Sequence, residues 1–262
     1  MIDPSIRASL DQHIIAALAI QYRTISGGTF EIMRDWVRGF SALRWPNFNI
    51  LMPLSPDGLT DDTLADAAAF FANENVHYSV EVVHDRCPEG PDFLDQRYYQ
   101  SLPPQPALYL TDFPTHIETN PEIYVELVRT VPSLTAFYTL LHQVFDFPLA
   151  DMAQMFPVNH VKNEVIHHYL AFIDEQPVGA GTIVCVEDVA SIWNLCTVDA
   201  YRRRGVATAL VTRMLCQAQE DYCQTAMLYS TAQAFQLFNR FGFDIYTQRQ
   251  WFLPPGIDYG DD

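Results

Sequence analysis

The fold of this 262-residue chain is decided between residues 194 and 210, which read NLCTVDAYRRRGVATAL. The first part of this stretch completes a predicted strand, Ala190–Val198, and the last part opens a helix that we expect to end near Gln219. Along that helix, apolar residues recur at helical spacing at Val206, Leu210, Met214 and Ala218. The segment therefore predicts a strand, a short turn over Arg202–Ala207, and a helix.

A turn of this kind is a potential anion site. The first amides of a helix have no intrahelical partner, and the helix dipole adds partial positive charge at the same end. Gly205 lets the backbone approach a phosphate closely, and the neighbouring arginines add donors suited to it. The alternative is a surface turn with solvated arginines before an ordinary helix.

The elements around this turn predict a compact α/β arrangement. A strand (Ile123–Val131) and a helix (Leu134–Val144, capped by Ser133) come first. The other predicted elements are strands at Val165–Ile173, Gly179–Val186, Thr225–Ser230, Phe243–Thr247 and Arg249–Leu253, and a helix at Gln233–Arg240 that Gly242 ends.

The N-terminal half also mixes helices and strands, but it contains no recognisable chemistry. We predict a helix over residues 5–22 and a buried strand over Phe48–Leu54. Asp61 or Asp62 is expected to cap a helix that runs to Asn73, and Tyr78–His84 alternates like a strand.

The segment 194–210 resembles motif A of the GNAT acyltransferase superfamily, whose core is Gln/Arg-x-x-Gly-x-Gly/Ala. Residues 228–231 and 237–243 resemble the second motif of that family, and Gln176–Gly179 matches a turn between its second and third strands. The resemblance implies a GNAT acyl-CoA N-acyltransferase fold over residues 119–262, a mixed, mostly antiparallel sheet flanked by helices. Residues 1–118 would form a smaller α/β domain, interpreted as a degenerate second copy.

The resemblance also implies which residues hold acetyl-CoA as co-substrate, with no metal. Cys196, Thr197 and Val198 would bind pantetheine through their main chain. The pyrophosphate would lie on the amides of Arg203, Arg204, Gly205, Val206, Ala207 and Thr208. Thr231 would contact the cofactor arm or, alternatively, cap the following helix.

The catalytic residues are not identified by the sequence. The resemblance also counts Phe238 among the coenzyme-binding positions, and it stands where the family often has a tyrosine that protonates the departing thiolate. Tyr229, Tyr246 and Cys196 are candidate substitutes, although each also fits a packing role. His167 and His168 are adjacent on a strand, so they point to opposite faces and cannot share a metal; a structural role is expected for both.

Composition excludes several classes of function. The net charge is −17, and the 15 basic residues are scattered apart from Arg202–Arg204, so no basic footprint for nucleic acid exists. The five cysteines form no C-x-x-C pair, which favours reduced thiols in the cytoplasm. The apolar run Ile14–Ile20 is too short to span a membrane, and only the tip, residues 260–262, is expected to be disordered.

Together these features predict an N-acyltransferase that acts on a small amine or an amino-acid-like acceptor. Two alternatives stay open, a non-catalytic acyl-CoA-binding module and an interaction protein that keeps the fold without a ligand. If the N-terminal half is a copy, it would cover the acceptor groove or mediate homodimerisation.

Overall fold

The computed structural model describes residues 2–257, which leaves the predicted disordered tip at residues 260–262 outside the described part. These residues form two compact units. The large unit comprises residues 2–17, 108–228 and 233–244, and the small unit comprises residues 18–107, 229–232 and 245–257. The domain boundary between residues 118 and 119 stays a prediction.

Seven helices and twelve strands are formed by the described residues. The helices are α1 (Pro4–Thr24), α2 (Asp61–Asn73), α3 (Gly90–Asp95), α4 (Val131–Phe145), α5 (Leu149–Met155), α6 (Val206–Glu220) and α7 (Phe235–Arg240). The strands are β1 (Thr29–Ile32), β2 (Trp36–Phe40), β3 (Ile50–Pro53), β4 (Ser79–Val83), β5 (Gln100–Ser101), β6 (Gln105–Leu110), β7 (Tyr124–Leu127), β8 (Ile166–Ile173), β9 (Gln176–Val186), β10 (Val189–Thr197), β11 (Thr225–Tyr229) and β12 (Asp244–Leu253).

The sheet of the large unit has the order β11-β10-β9-β8-β7. Strands β7 to β10 pair antiparallel in chain order, whereas β10 and β11 pair parallel. A parallel pair needs a crossover, and α6 supplies it. The mostly antiparallel sheet of the prediction is therefore confirmed.

Helices α4 and α6 cover opposite faces of this sheet. On β9, Gly181 lies against Met214 of α6, while the next residue, Thr182, bonds His168, whose ring packs on Phe137 of α4. Successive strand residues point to opposite faces, so the two helices sandwich the sheet. The same alternation confirms that His167 and His168 face opposite sides.

Close approach of α6 to β9 requires glycine. A Cβ on Gly179 would lie 2.5 Å from Val206 Cγ1 and 3.0 Å from the carbonyl oxygen of Cys196. Because neither neighbour has room to retreat far in a buried core, Gly179 fixes how deeply the first turn of α6 sits on the sheet.

The small unit repeats the same order of elements. Strands β1, β2 and β3 pair antiparallel, α2 follows, and β4 returns parallel to β3. Strand β12 then pairs antiparallel with β4 and carries β5 on its end. The core of this unit forms where α2 places Leu64, Ala67 and Phe71 against the sheet.

The start of α2 differs chemically from the start of α6. Its first turn carries two acidic residues, Asp61 and Asp62, and the Thr60 hydroxyl accepts a hydrogen bond from the Thr63 amide. The two carboxylates place negative charge at this helix end and the Thr60 side chain occupies the Thr63 amide, so the start of α2 is unfavourable for an anion. None of the helices formed by residues 2–257 combines the length and the apolar character needed to cross a membrane.

Two predicted helix caps are wrong. Thr60, not Asp61 or Asp62, caps α2, and Thr130, not Ser133, caps α4. Thr130 and Ser133 form a reciprocal capping box, which starts α4 earlier than predicted and ends β7 at Leu127. Thr60 and Thr130 are the caps because the backbone at each is extended while the side chain reaches the amide three residues later.

Gly179→Ala should destabilise the protein by about 1–3 kcal/mol, because the added methyl group overpacks the contact between β9 and α6. Urea unfolding measures the change. Val206→Ala removes the clashing methyl group, so the double variant should be more stable than the sum of the two single effects. If the losses of unfolding free energy in the two single variants simply add in the double variant, residue 179 and Val206 are not in close contact.

Candidate functional site

Strand β10 continues beyond its pairing with β11. The parallel ladder between them runs from the Val189–Thr225 pair to the Ile192–Leu228 pair, whereas β10 extends to Thr197. Backbone groups of β10 past Ile192 therefore lie outside that ladder. Main-chain donors and acceptors in such a gap are available to an extended ligand.

Just after its last pair with β11, strand β10 has a bulge in its pairing with β9. Trp193 pairs with Thr182 and Cys196 with Ala180, so Asn194 and Leu195 together oppose the single residue Gly181. Asn194 has a left-handed φ of 53°. A bulge leaves one residue out of the ladder and re-aims its neighbours, and bulges often occur beside active sites.

The turn that follows delivers α6 with its first amides uncapped. A short 3₁₀ helix, Asp199–Tyr201, precedes Arg203 at φ 63° and Gly205 at φ 94°. Gly205 is the N-cap residue and makes no side-chain cap, since it has no side chain. No side chain at the N-cap therefore occupies the first-turn amides of α6.

Polar contacts hold this turn from the outside. The Asn120 side chain donates to the carbonyl oxygen of Arg204 at 3.1 Å. Arg202 pairs with Asp199 at 2.7 Å, and Arg204 approaches Glu122 at 3.7 Å. These contacts occupy a carbonyl oxygen and arginine side chains, not the amides at the start of α6.

The residues of 196–208 that the sequence predicts to bind the coenzyme follow one another along this path, whereas Thr231 and Phe238 do not lie on it. Cys196 is buried, Thr197 and Val198 are half-buried, and Arg203 and Arg204 are exposed. Gly205 and Ala207 are half-buried, and Val206 and Thr208 are buried. The arrangement runs from the open edge of β10 into the first turn of α6.

Cys196 is a poor proton donor. Burial raises the pKa of its thiol to about 12, with smaller opposing effects from the Ala180 backbone and Arg202. The thiol formed from the leaving group has an ordinary pKa near 8.5, so Cys196 is the weaker acid of the two. Proton transfer from Cys196 to the departing thiolate would cost about 5 kcal/mol. The packing alternative therefore fits Cys196 better.

Tyr229, Thr231 and Tyr246 belong to the small unit. The Arg249 guanidinium lies 3.6 Å from the centre of the Tyr229 ring, Tyr246 is buried, and Thr231 is exposed. Helix α7 has Ala234 as its N-cap, so the alternative role of Thr231 as a helix cap is wrong.

Phe238 lies in the hydrophobic core of the large unit, 3% exposed, with its ring edge-on to Phe243 at 5.7 Å between centroids. A tyrosine hydroxyl at this place would be buried among apolar side chains. The position therefore contributes packing, and no proton donor stands there.

The two strand histidines differ in their contacts. His167 lies 3.3 Å from Asp221, and burial lowers its pKa while Asp221 opposes the shift. His168 bonds Thr182. His167 also lines an open cavity of about 600 Å³ near the C-terminal half of α6, together with Arg129, Lys162 and Arg213.

Across residues 2–257, no three His, Cys, Asp or Glu side chains converge in a way that would hold a metal ion.

Sequence reasoning missed a buried polar cluster in the small unit. Arg249 and Glu81 are both more than nine-tenths buried, and Trp251 donates to Glu81 at 3.0 Å. These residues come from β4 and β12, which are far apart in the chain and whose sequences carry no shared motif. Only the register of the two strands brings them together.

Comparison with known proteins agrees with this geometry. Residues 164–245 match the family model described as an acetyltransferase (GNAT) domain. The structure is similar to a GCN5-related N-acetyltransferase from Kribbella flavida, with a TM-score of 0.73 and 16% identity over 94% of this chain and 95% of that one. A search of the curated proteins finds no significant match.

Two further solved structures are similar over most of the chain. A GCN5-related N-acetyltransferase from Sphaerobacter thermophilus matches with a TM-score of 0.63 and 14% identity, over 87% of this chain and 84% of that one. A functionally unknown conserved protein from Staphylococcus epidermidis matches with a TM-score of 0.63 and 11% identity, over 88% and 95%. The chain thus has the GNAT fold, and coverage of its N-terminal half supports the interpretation as a degenerate copy.

Cys196 should resist alkylation at pH 8, because a buried thiol with a pKa of about 12 is almost entirely protonated. Cys216 is exposed and serves as the internal control. We expect iodoacetamide to modify Cys216 at least about tenfold faster than Cys196, as followed by peptide mass spectrometry. Equal rates in the native protein, matching those in urea, would contradict the burial of Cys196.

Proposed function

We propose that this chain, which carries a GNAT acetyltransferase domain over residues 164–245, transfers an acetyl group from acetyl-CoA to the amine of a small or amino-acid-like acceptor. One observation carries the proposal. The edge of β10 that continues past β11 leads directly into a turn whose glycine N-cap leaves the first amides of α6 without a side-chain cap.

These backbone groups suit the two chemically distinct parts of the coenzyme. Amides from Arg203 to Thr208 would hold the diphosphate, where the helix dipole and the exposed Arg203 add positive charge. The main chain of Cys196 to Val198 would bind the pantetheine amides. Bound acetyl-CoA supplies an activated acyl group, and the protein has to position and polarise it.

The bulge is the proposed site of carbonyl polarisation. Leu195 lies in the bulge, outside the regular register with β9, and Cys196 is the next residue to pair again. An amide near Leu195 or Cys196 would therefore polarise the carbonyl group. A preorganised amide directed at a developing oxyanion is worth about 3–4 kcal/mol in acyl-transfer enzymes.

Acceptor chemistry follows from charge. A chain with net charge −17 attracts cations, which favours acceptors that are ammonium ions in solution. An alkylammonium with a pKa of about 10 must lose a proton before it can attack, so the acceptor has to be deprotonated or desolvated at the site. A cytoplasmic location and homodimerisation stay predictions.

The alternative function is non-catalytic binding of acyl-CoA. It is favoured by the core position of Phe238, because the large unit then lacks the usual phenol at that place. A thiol of pKa near 8.5 is already a fair leaving group, so loss of general-acid help slows chemistry by about 10²–10⁴-fold without abolishing it. The missing phenol therefore lowers the expected rate and leaves transfer feasible.

Thiol release from acetyl-CoA, measured over a panel from polyamines to amino acids, decides between the two functions. We expect turnover with at least one cationic amine, and mass spectrometry should show that the acceptor gains one acetyl group. Tight binding of CoA with no release across the panel would favour the binding module and overturn the proposed activity.

Gly205→Glu should weaken CoA binding at least about tenfold, or 1.4 kcal/mol, because it adds bulk and a negative charge at the proposed diphosphate position. Isothermal calorimetry measures the dissociation constant. Gly205→Ala is the matched control, since both variants carry the strain of φ 94° and a Cβ there meets only ordinary contacts with Asn120 and Ile123.

The alanine variant should bind CoA within about threefold of the parent chain. It should lose about 1–2 kcal/mol of folding stability to the left-handed backbone. If Gly205→Glu folds and binds CoA as the alanine variant does, the diphosphate site lies elsewhere.

A further inference from the structure

A buried row of polar side chains crosses the sheet of the large unit on its α4 face. Asn194 donates through Nδ2 to Thr182 Oγ1 at 3.4 Å. Thr182 Oγ1 lies 2.8 Å from His168 Nδ1, and His168 Nε2 lies 3.0 Å from His160 Nδ1. The row therefore connects the bulge of β10 with a histidine on the 3₁₀ helix Val158–Lys162.

The register of the strands explains how the row forms. His168 on β8 is paired with Thr182 on β9, which is in turn paired with Trp193, the residue before Asn194. Paired residues on neighbouring strands point to the same face. Only the bulge lets Asn194 turn its amide to Thr182, since in a regular strand it would point to the α6 face.

The interior of the row is shielded from solvent. Thr182 is 1% exposed, His168 2% and His160 5%. The rings of Phe137 and Phe156 pack on His168 at 4.4 and 5.4 Å between centroids. In such an apolar enclosure each polar group without a hydrogen bond costs free energy. A buried polar row of this kind therefore either fixes one arrangement of the core or has a chemical role.

Both imidazoles of the row are neutral near pH 7. Burial lowers the pKa of His160 to about 4 and the pKa of His168 well below its ordinary value, with a smaller contribution from neighbouring histidines. The charged and titratable groups around them are His167 on β8 and, at the cavity, Arg129, Lys162, Glu164, Arg213 and Glu220. On α4, His142 bonds the carbonyl oxygen of Phe147.

The two ends of the row differ in access. Asn194 is half-buried at the bulge, where the acyl group would lie, and its contact with Thr182 is long enough to be displaced by an incoming N–H group. At the other end, His160 lines the cavity of about 600 Å³, whose rim includes the exposed side chains of Arg129, Lys162 and Glu164. The row thus joins the proposed reaction centre to solvent.

We propose that Thr182, His168 and His160 form a proton relay that carries the proton of the acceptor nitrogen from the bulge of β10 to the solvent of this cavity. The proposal rests on the acyl transfer proposed above. The N–H proton passes to Thr182 Oγ1, the hydroxyl proton passes to His168 Nδ1, and the proton on His168 Nε2 passes to His160 Nδ1. His160 then releases a proton to water.

The bond changes balance. As nitrogen attacks the acyl carbon, an N–C bond forms and an N–H bond breaks, and the C–S bond then breaks to release the thiolate, which water protonates. A nitrogen that is bonding to a carbonyl carbon becomes strongly acidic, so a weakly basic imidazole can accept its proton. The relay hands the proton on and stores no charge, which suits a buried, low-dielectric path.

Thr182→Val tests the relay because it removes the hydroxyl group with little change of volume, and Thr182→Ser is the conservative control that keeps it. Steady-state kinetics with the best amine of the panel should show kcat lowered by about tenfold to hundredfold in the valine variant, with CoA affinity unchanged. The serine variant should recover most of the rate. The lost rate should return as pH rises, because hydroxide replaces the relay.

His160→Ala gives a second, independent readout. The substitution leaves a space between His168 and the cavity that an imidazole molecule can fill. Added imidazole should therefore restore turnover in proportion to the concentration of its neutral form. His167→Asn is the matched control on the opposite face of β8 and should show no rescue. Thermal unfolding of each variant separates a folding defect from a chemical one.

A folded Thr182→Val variant with the parent kcat and pH profile would overturn the relay while leaving the acyltransferase intact. If the rescue of His160→Ala does not change with the pH of the imidazole buffer, the role of His160 is packing and not proton transfer. Absence of thiol release by the parent chain with every amine would overturn the proposed function, and the relay with it.

Discussion

Release of β10 from β11 is the constraint on which the site depends. Two neighbouring parallel strands ordinarily satisfy one another, so an open strand edge inside a folded unit is costly unless water or a ligand satisfies it. Here the parallel ladder ends at Ile192, and the extra residue at the Asn194–Leu195 bulge turns the strand before the chain reaches Arg203 and Gly205. Left-handed backbone at those two positions then aims α6 so that its first amides stay uncapped.

The two halves of the chain show what that constraint adds to the fold. Both contain three antiparallel strands, a helix, and a strand parallel to the third. In the small unit the helix begins with Thr60, whose side chain caps the Thr63 amide, and with the carboxylates of Asp61 and Asp62 in its first turn. Shared topology thus supplies the scaffold, and the residues at the helix start decide whether an anion can bind.

The sequence predicts the large unit well because its signals are local. The glycine turn, the helical spacing from Val206 to Ala218 and the predicted strand Val165–Ile173 are each read from one short segment, and the structure has an element in each place. The failures have two causes. Thr60 and Thr130 win as caps because the chain is already extended there, which residue type alone does not show. The contacts of Thr182 with His168, and of Arg249 with Glu81, depend on strand register, which no single segment encodes.

The bulge also means that the proposed coenzyme binding and the proposed proton removal would use different groups. At Gly181 the side chain of Leu195 packs on the α6 face, while the amide of Asn194 reaches Thr182 on the α4 face. The proposed acyl donor would use main-chain groups at the edge of β10, whereas the side chain of Asn194 at the bulge connects through Thr182 to His168. A regular β10 would lose the side-chain connection, because restoring the register with β9 would return Asn194 to the α6 face. Strain at φ 53° on a non-glycine residue is consistent with that requirement, since such conformations persist only where the surrounding structure over-determines them.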